Sequence, residues 1–156
     1  MPTMIDLSNS YVLLEEAESY FSGRLYATAW NNATESDKEK ALLTSVSLLD
    51  NAVLWAGEKR YERQDLEFPR KNIRGLPEDL IPKNIKTAQL ELALLLLQTD
   101  LTAPQTSPEI SSIQVESIKL QYNRAERSKI IPDSILALVS VYTSQNNVYN
   151  YFDLTR

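Results

Sequence analysis

The sequence predicts a mainly α-helical fold: a small bundle around one central buried helix, with a minor β element and an extended C-terminal tail. The first observation is the stretch 81–101, IPKNIKTAQLELALLLLQTDL. Ile81, Ile85, Ala88, Leu92 and Leu95 fall there at helical spacing along one face. Leu90, Leu94, Leu97 and Leu101 make a second stripe beside it, and no polar residue interrupts Leu92 to Leu97. A helix apolar all round is enclosed by others or spans a membrane. A span needs roughly 20 apolar residues, whereas Lys83, Lys86, Gln89 and Glu91 polarise the first half, so burial is expected. The second observation is an amphipathic run at 36–55 able to pack on it. The third is a single alternating stretch, at 113–122, which limits the β content.

Taken in order, 14–22 reads as a short helix with Ala17, Phe21 and Leu25 on one face. Glu15, Glu16 and Glu18 lie near its positive end, and Gly23 suits the residue after its last turn. One or two helical turns follow at 25–32, with Trp30 pointing inward. Ser36 and Glu39 have capping-box spacing, so a helix is expected from there to about Trp55, with Leu42, Val46, Leu49 and Val53 facing the central helix. Residues 56–80 read as a long connection, punctuated by Gly57, Pro69, Gly75 and Pro77 and anchored by Tyr61, Leu66 and Phe68. A loop of this length in a small domain usually serves function or interaction. The central helix is expected at about 82–100, with Pro82 in its first turn, where a missing N–H costs nothing.

A second connection, 101–112, leads to alternating Ile113, Val115, Ile118, Leu120 and Tyr122. A phase slip at Glu116 and Ser117 suggests a bulged strand or a small hairpin. Helical spacing returns at 132–143 through Ile135, Leu138, Val139 and Tyr142. The organisation expected is therefore a helical domain over 1–143, with its long loop at 56–80, followed by a tail at 144–156.

Composition narrows the chemistry. At 156 residues one domain with a real core is expected. Cysteine and histidine are both absent, which removes thiol nucleophiles, triads of the usual kind and most zinc sites. Three glycines leave no phosphate-cradling loop. The carboxylate pairs Glu15/Glu16 and Glu78/Asp79 sit at helix starts, where acids are dipole partners far more often than general acids. No enzyme, no cofactor and no metal are expected. MPTMIDLSNSY lacks the basic and apolar regions of a signal peptide, so synthesis in a cytoplasm, without membrane attachment, is expected.

The net charge of −5 is unevenly spread. Residues 1–50 hold eight acids against three bases, while 58–74 hold six bases (Lys59, Arg60, Arg63, Arg70, Lys71 and Arg74) against four acids. These regions can meet within the fold or between neighbouring subunits. Bases interleaved with Tyr61 and Phe68 are also the one candidate for single-strand nucleic-acid binding, opposed by the acids among them and by the acidic whole. Phe68 and Trp55 are expected in the core, because large aromatics usually bury themselves.

YVLLEEAESYF, TESDKEKALLTSVSLLD, WAG followed by QDLEFPR, and IPKNIKTAQLELALLLL occur in this order. Together they resemble the head–tail connector (adaptor) proteins of tailed bacteriophages, some of which are catalogued as DnaT-like single-stranded-DNA-binding proteins. The resemblance covers roughly 10–97 well and 113–122 loosely. Family members often carry Thr or Ser at the position of Leu13, so here Ser10 caps the first helix or the helix starts uncapped.

The resemblance implies a structural subunit in a ring, dodecameric in that family, between portal and tail in the virion neck. DNA would pass through without sequence-specific binding. By position it implies that the tail, with Val148, Tyr149, Tyr151, Phe152 and Arg156, docks on the portal protein, while a loop or hairpin meets the next tail or neck protein. Neighbouring copies would meet through Glu15 and Glu18 on one side and Arg63, Arg70 and Arg74 on the other. For Arg70 an intrachain pair or a helix cap stands equally open. Two alternatives remain: a tail-completion or terminator protein, and a replication accessory protein binding single strands through 59–74.

Overall fold

A computed structural model describes residues 5–103 and 130–144. Among them the chain is mainly helical, with one two-stranded sheet. The elements run α1 (Leu14–Ser22), α2 (Thr28–Asn32), α3 (Glu35–Ala52), β1 (Glu58–Lys59), β2 (Arg70–Lys71), α4 (Lys83–Gln98) and α5 (Asp133–Val139), which ends in a 3-10 turn, Ser140–Tyr142. The expected hairpin at 113–122 and the tail beyond Ser144 lie outside the described residues.

The central helix is α4. Ile85, Ala88, Leu90, Leu92, Ala93 and Leu94 are buried, and α2, α3 and α5 all pack on it. Pro82 is its N-cap rather than a first-turn residue. Helix α3 lies antiparallel to α4 and presents Leu42, Val46 and Leu49 to the core, as its spacing requires.

Its start differs from the expectation. Thr34, not Ser36, is the N-cap, its hydroxyl accepting from Asp37 N–H at 3.2 Å. Thr34 and Asp37 have the same three-residue spacing as Ser36 and Glu39 but directly follow the extended Ala33, and the Thr34 hydroxyl also donates to the Asp37 carboxylate at 2.8 Å. The helix also stops at Ala52. Val53 is extended, and Leu54–Ala56 pairs instead with 142–144: Ala56 N–H donates to Tyr142 C=O and Ser144 N–H to Leu54 C=O. The side-chain period becomes two there, so Val53 and Trp55 face inward and Leu54 faces out.

Helix α1 has its expected bounds, but Leu25 does not share its buried face. The helix ends at Ser22, and Leu25 and Tyr26 stand exposed on the following turn. Leu13, the N-cap, has no side-chain acceptor to give; instead Glu16 reaches back to accept from Leu13 N–H at 3.0 Å. Ser10 is no cap either. It is fully buried, and its hydroxyl accepts from the Gln89 amide at 2.7 Å.

Gln89 is thus the polar centre of the bundle. Read from sequence as part of a polar half, it is wholly buried: its Nε2 donates to Ser10 Oγ and to Leu42 C=O, and its Oε1 accepts from Tyr11 N–H. One side chain therefore ties the N-terminal segment, α3 and α4 together. The core also holds two aromatic groups. Phe21 stacks on Trp30 at 4.3 Å between centroids, and Phe68 meets Tyr11, Trp55 and Tyr142 edge-on.

Replacing Gln89 with Leu leaves Tyr11 N–H, Ser10 and the Leu42 carbonyl without that partner. Urea unfolding is expected to show a loss of about 2–4 kcal/mol, comparable to a large core truncation such as Leu92→Ala. A loss below about 1 kcal/mol would show that water or a neighbour replaces the amide.

Candidate functional site

The connection at 56–80 reads from sequence as a loop, but it folds into an arm with its own small sheet. Strands β1 and β2 are antiparallel, Glu58 opposite Lys71 and Lys59 opposite Arg70. Two residues per strand were too few to show an alternating pattern. Gly57 makes the arm possible: its φ is +67°, and a Cβ there would sit 2.2 Å from the Lys71 carbonyl oxygen. Gln64 braces the inside, its Oε1 accepting from Tyr61 N–H and its Nε2 donating to the carbonyls of Leu66 and Pro69.

The arm is fastened to the helices by a buried cluster. The Tyr11 hydroxyl donates to the Asp50 carboxylate, 2.7 and 2.8 Å from its two oxygens, and accepts from Glu67 and Phe68 N–H at 3.1 and 3.2 Å. Asp50 accepts a further bond from Glu67 N–H. Phe68, 2% exposed, plugs the core beside them. Burial pushes the Asp50 carboxyl up to about 6, against the pull of the Tyr11 and Glu67 hydrogen bonds. Burial, with Asp50 beside it, also raises the Tyr11 phenol.

Most of the arm's bases are spent within the chain. Arg70, for which an internal pair and a contact between subunits stood open, is 6% exposed and engaged internally. Its Nε donates to Ala56 C=O at 2.7 Å, its Nη2 to Gly57 C=O at 2.9 Å, and its Nη1 pairs with the Glu67 carboxylate. Lys59 also pairs with Glu67, and Lys71 with Glu58. Arg60 pairs with Glu78 at 3.3 Å and Asp79 at 3.2 Å while lying over the Tyr61 ring. Those two acids fall just past the window that read as basic; with them, 58–79 holds six bases and six acids. Arg63 and Arg74 are exposed without a carboxylate partner among the described residues.

On α1, Glu15 is exposed, whereas Glu18 pairs with Lys38 at 2.7 Å and accepts from Trp30 Nε1. No ion pair among the described residues joins Glu15 or Glu18 to Arg63, Arg70 or Arg74. Glu91 pairs with Arg24 and accepts from the Tyr20 hydroxyl; burial pulls its carboxyl up, but these bonds outweigh it and hold it low. Val148, Tyr149, Tyr151, Phe152 and Arg156 lie outside the described residues. Among the described residues no group of three or more Asp or Glu is placed to hold a metal ion, and no helix is long and apolar enough to cross a membrane. Tyr11, Asp50 and Gln64 escaped the sequence reading, since each is a single polar residue whose partners lie elsewhere in the fold.

In comparison with known proteins, the family described as "Putative DnaT-like ssDNA binding protein" matches residues 3–155. No curated protein and no solved structure matches the chain. The match spans nearly the whole sequence, and the chain belongs to that family.

The Asp50 cluster gives a signed pH dependence. Its carboxyl titrates near 6 when folded and near 4 when unfolded. Its stabilising contribution is therefore full below about pH 4 and is lost as pH rises through 6. Tyr11, Glu67 and Lys59 are the titratable groups around it. Asp50→Asn removes the titration, so between pH 4 and 7 wild type is expected to lose on the order of 1–3 kcal/mol relative to the variant. The carboxylates of Glu16, Glu18 and Glu91, all held low, act the opposite way but are common to both proteins. Parallel pH profiles in urea unfolding would contradict the assignment.

Proposed function

We propose that the chain is a structural subunit of a head–tail connector in a tailed bacteriophage. Copies form a ring that joins portal to tail in the virion neck and lets DNA pass without sequence-specific contact. The ordered motifs from YVLLEEAESYF to the central helix support this reading. The observation that carries it is the neutralisation of the arm: four of the six bases at 58–74 pair with carboxylates of the same chain. Affinity for nucleic acid comes mainly from free Lys and Arg displacing counterions at phosphates. An arm cross-braced by its own ion pairs and plugged into the core by Phe68 is suited instead to protein contact.

In this reading the protein works by binding alone, with no cofactor and no catalysis. The helical bodies pack laterally as a ring, dodecameric by resemblance. The tail residues Val148, Tyr149, Tyr151, Phe152 and Arg156 dock on the portal, and the next neck or tail protein binds the other side. Arg63, Arg74 and Glu15 remain candidates for the lateral contact; Arg70 serves it only by holding the arm in shape. A second reading, single-strand binding, is favoured by the family's description and by Tyr61, Arg63 and Arg74, which are exposed on one arm.

The test is to mix the protein with the portal of the same phage and image it by negative stain, beside a variant lacking 146–156. A ring on the portal that disappears on truncation is expected. A ring that persists would keep the connector and overturn the docking tail; a bare portal at high concentration would overturn the connector and turn attention to the tail tube. In parallel, anisotropy with an oligothymidylate probe is expected to show no binding at physiological salt. Salt-sensitive binding abolished by Arg63→Ala with Arg74→Ala would establish the second reading.

A further inference from the structure

We infer that the open groove between α2, the start of α3 and the end of α4 is the seat for the opposite end of a neighbouring copy of this chain. The groove has a volume of about 660 Å³, with Ala33, Leu96 and Leu97 among its apolar lining and Asp37, Lys40 and Asp100 among its charged lining. It exists because the last turns of α4 are apolar beyond what α2 and α3 cover, leaving Leu95, Leu96 and Leu97 only half-buried.

The occupant is indicated by charge. Cations stabilise a helix C-terminus and anions an N-terminus, yet α4 carries the reverse at both ends. Its first turn holds Lys83 and no acid, and its last turn holds no base, with Asp100 just beyond. Lys86 is matched by Glu16, but Lys83 is exposed with no carboxylate against it among the described residues. Asp100 accepts from the N–H and hydroxyl of Thr102, which hold its carboxyl low and ionised. Glu35, Asp37 and Glu39 add to the negative end, with Lys40, 3.8 Å from Asp37, as the counter-charge there. The acids of α3 suit the start of their own helix, whereas Asp100 lies at the wrong end of α4 although Thr102 holds it, and Lys83 has no carboxylate partner among the described residues.

Sixteen residues of α4 separate the two ends, about 24 Å at 1.5 Å per residue, so neither can neutralise the other in one molecule. A neighbour placed head to tail brings Lys83 against the Asp100 end and covers the groove. Such a contact uses two different patches, and repeated about an axis it closes into a ring. Closure rests on the connector reading; the seat itself rests on the groove and the reversed charges.

The experiment compares wild type, Asp100→Lys, Lys83→Glu and the double variant by sedimentation velocity and by loading on the portal. Each single reversal is expected to weaken self-association at least about tenfold, and the double variant to recover to within about threefold, because it restores opposite charges across every contact. Lys83→Glu corrects a helix-dipole mismatch, so its monomer is expected to melt no lower than wild type, which separates lost association from lost folding. For Asp100→Lys, which gives up the Thr102 bonds, thermal melting of the monomer is measured alongside. Single variants that associate and load normally would overturn the seat and leave the connector reading standing, as would a double variant that stays as weak as the singles. A wild type that neither self-associates nor loads the portal would overturn both.

Discussion

The structure depends on a constraint at the N-terminal edge of the core: Tyr11 is held at both its ends. Its backbone N–H donates to Gln89, in the middle of α4, and its hydroxyl binds Asp50 and the amides of Glu67 and Phe68. A segment with no regular structure of its own thereby joins the two main helices to the arm. The cluster needs every member. Buried polar groups are costly when unpaired and hold a unique geometry when fully satisfied, and here Gln89 uses both donors and its acceptor.

That fastening determines what the arm can do. Phe68 sits among Tyr11, Trp55 and Tyr142, so the arm's root is continuous with the core. Arg70 then caps the carbonyls of Ala56 and Gly57 while pairing with Glu67, which closes the arm on itself. A basic segment that looks available in sequence thus becomes a rigid protrusion with balanced charge. Its exposed aromatic residue and exposed bases, Tyr61, Arg63 and Arg74, are interspersed with exposed acids such as Glu62 and Asp65. In the proposed reading the arm serves contacts between proteins, where complementary charge sets orientation and register.

The helices were legible because burial imposes a period on the sequence. The stripes through Leu42, Val46 and Leu49 and through Ile85, Ala88 and Leu92 could be read directly, and the inward positions of Trp30, Trp55 and Phe68 followed from size. Their ends were less legible, since Thr34 and Ser36 offer nearly equivalent caps and only the course of the chain at Ala33 decides between them. The end of α3 depends on pairing of 54–56 with 142–144, far away in sequence. The arm's sheet was hidden for the same reason: β1 and β2 are defined by each other and by Gly57, with no period of their own. The fate of Arg70 was open because sequence shows a charge but not its depth. The apparent basic window dissolved once Glu78 and Asp79 folded onto Arg60.

The central claim is that the arm is part of the folded core. Native-state hydrogen exchange at the amides of Glu67 and Phe68 tests it most directly. Both donate to the Tyr11 hydroxyl, so the account predicts that they exchange only through global unfolding, with the same protection as the centre of α4, and that Tyr11→Phe lowers their protection selectively. Exchange of these amides at the rate of an open surface loop, while α4 stays protected, would contradict it.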